Sequence, residues 1–93
     1  MENLYRYKID EFHWVFTDKL KMAATIRYDL HYVAGDRAFR AQIYRRHNDF
    51  AVWGRPMEIF DEATINRLRA LLPPSEIAAC VAASMVEVKD ADA

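Results

Sequence analysis

The stretch from Ala24 to Arg46 constrains the fold of this chain more than any other. Two runs of alternating side chains flank Gly35-Asp36, a pairing that reads as an antiparallel β-hairpin. Glycine at the first central position of a two-residue loop suits a type II′ turn. The register follows. Tyr32 faces Phe39, Leu30 faces Ala41, Tyr28 faces Ile43 and Ile26 faces Arg45. On the other side His31 faces Arg40, Asp29 faces Gln42, Arg27 faces Tyr44 and Thr25 faces Arg46. A slip of one residue would set polar groups against apolar ones along the ladder, so this register is strongly specified.

The rest of the chain extends this core element. A turn at His47-Asn48-Asp49 leads to Phe50-Ala51-Val52-Trp53, which reads as the next strand, ending at Gly54-Arg55-Pro56. A loop at Asn48-Asp49 buries Phe50 and Val52 and sets Trp53 beside Tyr44. A three-residue loop turns Trp53 inward, and the first option is preferred because it buries two apolar residues. Toward the N-terminus, residues 5–16 are rich in strand formers and read as a strand kinked near Asp10-Glu11, with a loop over 17–23. Ile9, Phe12, Phe16, Leu20 and Ala23 also fit a helical stripe.

Two helices are expected at the C-terminal end, over about 61–72 and 75–86. Asp61 is an N-cap for the first, whose apolar stripe is Ile65, Leu68, Leu71 and Leu72. Pro73-Pro74 stops it. Ser75 is expected to cap the second, with Ile77, Cys80, Val81 and Met85 on one side. Met85 to Val88 also alternates as a short edge strand would, and residues 89–93 are expected to fray. The fold class is therefore α+β: one domain over residues 1–93, with an antiparallel meander of three or four strands and two C-terminal helices packed on one face. The expected core is Tyr28, Leu30, Tyr32, Phe39, Ile43, Val52, Ile65, Leu68, Leu72, Ile77 and Val81.

Composition narrows the function. Apolar residues make up 53% of the chain and charged residues 29%, a globular balance. No apolar run approaches the ~20 residues that span a bilayer. The start, Met1-Glu2-Asn3-Leu4, lacks the basic and apolar regions of a signal peptide. With a single cysteine, Cys80, the expected setting is the cytoplasm. Net charge is −1, but unevenly spread: residues 19–55 carry eight basic and three acidic groups, and both flanks are acidic.

Catalytic and cofactor motifs are not evident. Two glycines are too few for a phosphate-cradling loop, and no Gly-x-Ser-x-Gly elbow occurs. Cys80, set among alanines, reads as a packing residue. The Asp10-Glu11 and Asp61-Glu62 pairs read as a solvated bend and a helix cap. His13, His31, His47 and Cys80 have no metal-motif spacing, so no metal and no cofactor is expected. A helix-turn-helix reader is disfavoured because Ile77 to Met85 contains no Arg, Lys, Asn or Gln.

One surface stands out. Arg27, His31, Arg40, Tyr44 and Arg46 share the polar face of the hairpin, with Trp53 and Arg55 close by in sequence. Arginine, tyrosine and tryptophan anchor protein interfaces. The expectation is a small non-enzymatic protein-binding module, a regulator or inhibitor of a larger complex of the size that phages and mobile elements carry. Two alternatives use the same chemistry. One is RNA or single-stranded DNA held by phosphate attraction and stacking. The other is a homo-oligomer joined through strand edges.

Overall fold

A computed structural model of the chain describes the backbone of residues 3–47 and 51–92. The fold is α+β, but the sheet has five antiparallel strands rather than the expected three or four, in sequence order: β1 (Tyr5–Asp10), β2 (His13–Thr17), β3 (Ile26–Val33), β4 (Ala38–Arg45) and β5 (Met57–Ile59). Helices α1 (Glu62–Ala70) and α2 (Pro74–Asp92) follow. None of the described helices is long and apolar enough to cross a membrane.

The central hairpin has the register that alternation predicts, from Ile26 opposite Arg45 to Tyr32 opposite Phe39. Its loop differs from the expected type II′ turn. Val33 and Ala38 close a four-residue connection, Ala34 forms a short 3-10 turn with Gly35 and Asp36, and the Arg37 N–H bonds the Ala34 carbonyl. The left-handed residue is Arg37, at φ 51°, and no glycine has a positive φ. Both loops leave the pairing sum unchanged, so a wrong turn type costs nothing in register.

Other expectations are corrected as well. The single kinked strand over 5–16 is a second hairpin. The chain reverses at Glu11 and Phe12, where the Glu11 N–H bonds Asp10 Oδ1 at 2.7 Å, and a bulge lies between Lys8 and Asp10. What alternation showed as a change of phase at Asp10-Glu11 is this bulge and turn.

The expected strand at 50–53 is absent from the described part of that stretch. Ala51 is a bend and Val52 to Pro56 are irregular; Phe50 and the Asn48-Asp49 loop lie outside the described residues. The partner of β4 is instead Met57–Ile59, through Ile59 opposite Ala41 and Met57 opposite Ile43. Arg45 explains part of the displacement, because its carbonyl takes the Gly54 N–H at 2.9 Å and holds the connection back.

Ser75 is not the cap of α2. Pro74 opens that helix, at the position where a missing N–H costs nothing, and Pro73 O takes the first N–H groups. The backbone stays helical through 85–88, so no edge strand forms there. Asp61 does cap α1, accepting from the Ala63 N–H and the Thr64 hydroxyl.

The core is centred on β2 and β3. Trp14, Phe16, Leu30 and Ala41 form one buried cluster with Leu68, Leu72 and Cys80. Tyr28, Tyr32, Phe39, Ile65 and Ile77 pack around it. Val52 and Val81, expected inside, are 89% and 54% exposed. Val52 lies outside any strand, so no alternation turns it inward, and Val81 follows the buried Cys80 on α2, one position round from the buried line. Polar contacts also tie β1 to the helices. Arg6 donates to the Leu71 carbonyl, and Lys8 pairs with Glu76 at 3.0 Å.

Candidate functional site

Directly paired residues on neighbouring strands project to one side of the sheet, so the register reads the polar face out in rows. The first row is Tyr5, Thr17, Arg27 and Tyr44. The second is Tyr7, Val15, Asp29, Gln42 and Glu58. The third is Asp10, His13, His31 and Arg40.

Asp29 is the hub of this face and only 1% exposed. Burying a carboxylate is costly unless it is paired and hydrogen-bonded. Here Arg27 grips it with two bonds, Nε to Oδ1 at 2.6 Å and Nη2 to Oδ2 at 2.8 Å. His13 Nε2 donates to the same Oδ2 at 2.8 Å. The bond to Asp29 raises the Arg27 pKa and keeps it a cation. The guanidinium in turn lies over the Tyr44 ring, 5.0 Å from its centroid, a favourable cation–π placement.

A second chain of polar contacts runs alongside. Glu58 accepts from the Gln42 amide nitrogen at 3.0 Å, and Gln42 Oε1 meets His31 Nε2 at 3.0 Å. The His31 and His13 rings stack with centroids 3.8 Å apart. Burial is the main cause pushing the His31 pKa below its ordinary value, and the neighbouring His13 adds to it. A shallow surface concavity opens beside the pair, its lining including Asp10, Glu11, His13 and His31.

The residues picked out from sequence fall into two groups. Arg27, His31 and Tyr44 sit inside the network. Arg40 is on the same face and pairs with Asp36 at 2.7 Å near the hairpin loop. Arg46 works on backbone: Nε donates to the Ala24 carbonyl at 2.6 Å and Nη2 to that of Met22 at 2.8 Å. It thereby holds the β2–β3 connection, and Trp53 lies against it with 4.1 Å between guanidinium and ring. Trp53 is thus neither on an adjoining strand nor in the core. Arg55 is exposed in the connection that follows.

No known relative marks this site. No family model matches the chain, and no curated protein or solved structure matches it significantly. The site is therefore read from its own chemistry. Sequence reasoning missed His13, Asp29, Tyr5 and Tyr7 as site residues. The signal was present only for Asp29, which alternation already put on the polar face. The other three depend on the registers of β1 with β2 and β2 with β3. The latter spans a connection from Asp18 to Thr25 whose geometry no turn motif announces.

Proposed function

We propose that this protein is a small non-enzymatic binding module that engages a protein partner through the polar face of its sheet, as a regulator or inhibitor of a larger assembly. The observation that carries this reading is the pair Tyr5 and Tyr7. They are 45% and 46% exposed and stand on edge strand β1, beside a rigid Arg27–Asp29 pair. Half-exposed tyrosines next to a preorganised arginine have the composition of interface hot spots, and they lose little side-chain freedom on binding. In this reading α1 and α2 cover the apolar face and leave the tyrosines accessible, in a cytoplasmic protein.

Two features weigh against the alternatives. Arg27 is matched by Asp29 and Arg40 by Asp36, and burial favours neutral His31, which lowers the pull on phosphates. Pairing two copies through β1 with Tyr7 on the two-fold axis would set Arg6 opposite Lys8 of the second copy. Shifting the axis to Lys8 would set two lysines face to face. Edge strands are commonly blunted in this way.

The test is affinity capture from native lysate with wild-type protein and with the Tyr5→Ser/Tyr7→Ser double variant, each with and without nuclease. A partner that survives nuclease and is lost with the double variant supports the reading. Retention at wild-type strength by the variant removes this face. Loss of all capture on nuclease treatment moves the assignment to nucleic acid.

A further inference from the structure

We propose that His13, Asp29 and His31 form a binding site for one divalent transition-metal ion, with zinc as the reference case. This inference does not rest on the partner-binding reading. One donor atom from each of the three side chains lies within 4.8 Å of the other two. Two imidazoles and one carboxylate are a donor set for zinc, nickel, cobalt or copper, and three protein ligands leave a position for water. His13 and His31 are paired on adjacent strands and Asp29 lies two residues before His31 on the same face, so side-chain torsions can draw the donors to the ~2.0–2.2 Å that metal bonds need.

The hydrogen-bond network already orients the ligands. A carboxylate only accepts, so Glu58 turns the Gln42 nitrogen toward itself and the Gln42 oxygen toward His31. That oxygen also only accepts, so His31 carries its proton on Nε2, and Nδ1 holds a bare lone pair in the neutral ring. Metal-bound histidines characteristically donate their other N–H to such a fixed acceptor. His13 Nε2 and Asp29 Oδ2 are already 2.8 Å apart, and a proton shift to His13 Nδ1 would open that gap to an ion.

Asp29 is itself held by Arg27, which fixes the carboxylate in place. The guanidinium charge opposes a dication, so the site is weaker than a structural zinc site. Asp10 and Glu11 line the adjacent concavity and favour cation entry.

The experiment titrates the chelator-stripped full chain with zinc chloride by calorimetry, with protein at tens of micromolar. Saturable binding of one ion per chain is expected. His13→Gln and His31→Gln should each weaken it at least tenfold, and His47→Gln should leave it unchanged. No saturable binding overturns the proposal, as does binding that only His47→Gln removes. If a variant loses its circular-dichroism signature, nickel broadening of the wild-type histidine proton resonances decides instead. His13 and His31 should broaden before His47, and uniform broadening or His47 alone overturns the site.

Discussion

The two faces of this sheet are both buried at the centre, and by opposite means. On one face Trp14 and Phe16 of β2 enter an apolar cluster with Leu30 and Leu68. On the other, the alternate residues Val15 and Thr17 are equally buried, but their neighbour is the hydrogen-bonded network of Asp29, Arg27 and His13. Apolar burial is non-directional and scales with area. The polar face is held by bonds with fixed partners, each of which leaves an uncompensated group when its mate is removed. The first face therefore contributes mostly stability. The second contributes a fixed arrangement of charge and lone pairs, the more useful property in a recognition surface.

The largest predicted effect tests the apolar face. Phe16→Ala removes a fully buried ring and should lower unfolding free energy by about 3–5 kcal/mol in urea titration. A loss below ~1 kcal/mol would mean that the cluster is loosely packed. The polar face should respond differently. Asp29→Ala takes the shared acceptor from Arg27 and His13, with a predicted loss of about 3 kcal/mol, the low end for a broken buried pair because both donors keep some access to water. Replacing Arg27 as well, in Arg27→Met/Asp29→Leu, should recover part of that loss, with His13 still lacking its acceptor. Strict additivity of the two substitutions would erase the contrast between the faces.

This contrast was half legible in the sequence. Alternation over Ile26 to Arg45 sorted β3 and β4 between the faces, because a period of two admits only one register with an apolar side. It could not reach Trp14 and Phe16, the centre of the core. Residues 13–16 are almost continuously apolar, so β2, buried on both sides, carries no alternation to read. The same gap hid the site. Asp29 looked like one more polar residue until β2 set His13 and Val15 beside it. Phe50 to Trp53 misled in the other direction: a run of strand formers that lies, where described, in an irregular connection, while the plainer Met57–Ile59 pairs with β4.

Both faces depend on register, and Asp18 holds it where the connection from β2 to β3 closes that pair. Its carboxylate accepts from the Thr25 N–H, the Thr25 hydroxyl and the Ile26 N–H at 2.9, 2.9 and 3.0 Å. Burial alone would raise its pKa, but these bonds outweigh burial and lower it. The folded pKa lies below the unfolded one, so the contribution is fully present above the ordinary value of 3.8 and fades as pH falls through the lower folded value. Asp18→Asn should cost about 1–2 kcal/mol at pH 7, where charge-assisted bonds are lost. The difference from wild type should shrink toward pH 2–3 in thermal melts, and a difference independent of pH would contradict this account.

The smallest effect concerns the other end of the register, at the hairpin loop. A type II′ turn requires positive φ at Gly35, and an added Cβ there would be strained by about 1 kcal/mol. In the observed loop Gly35 has a negative φ and the left-handed position falls on Arg37. Gly35→Ala should then be neutral or stabilise by up to ~1 kcal/mol, because alanine restricts the unfolded chain without strain in the folded one. Arg37→Gly relieves the left-handed residue at the cost of a looser unfolded state, so it should change stability by only a few tenths of a kcal/mol. Destabilisation by Gly35→Ala with no gain from Arg37→Gly would restore the type II′ turn. Even that outcome would leave Tyr32 opposite Phe39 and His31 opposite Arg40, since both loops share one pairing sum. The faces are set by alternation along β3 and β4, and the loop only has to be compatible with them.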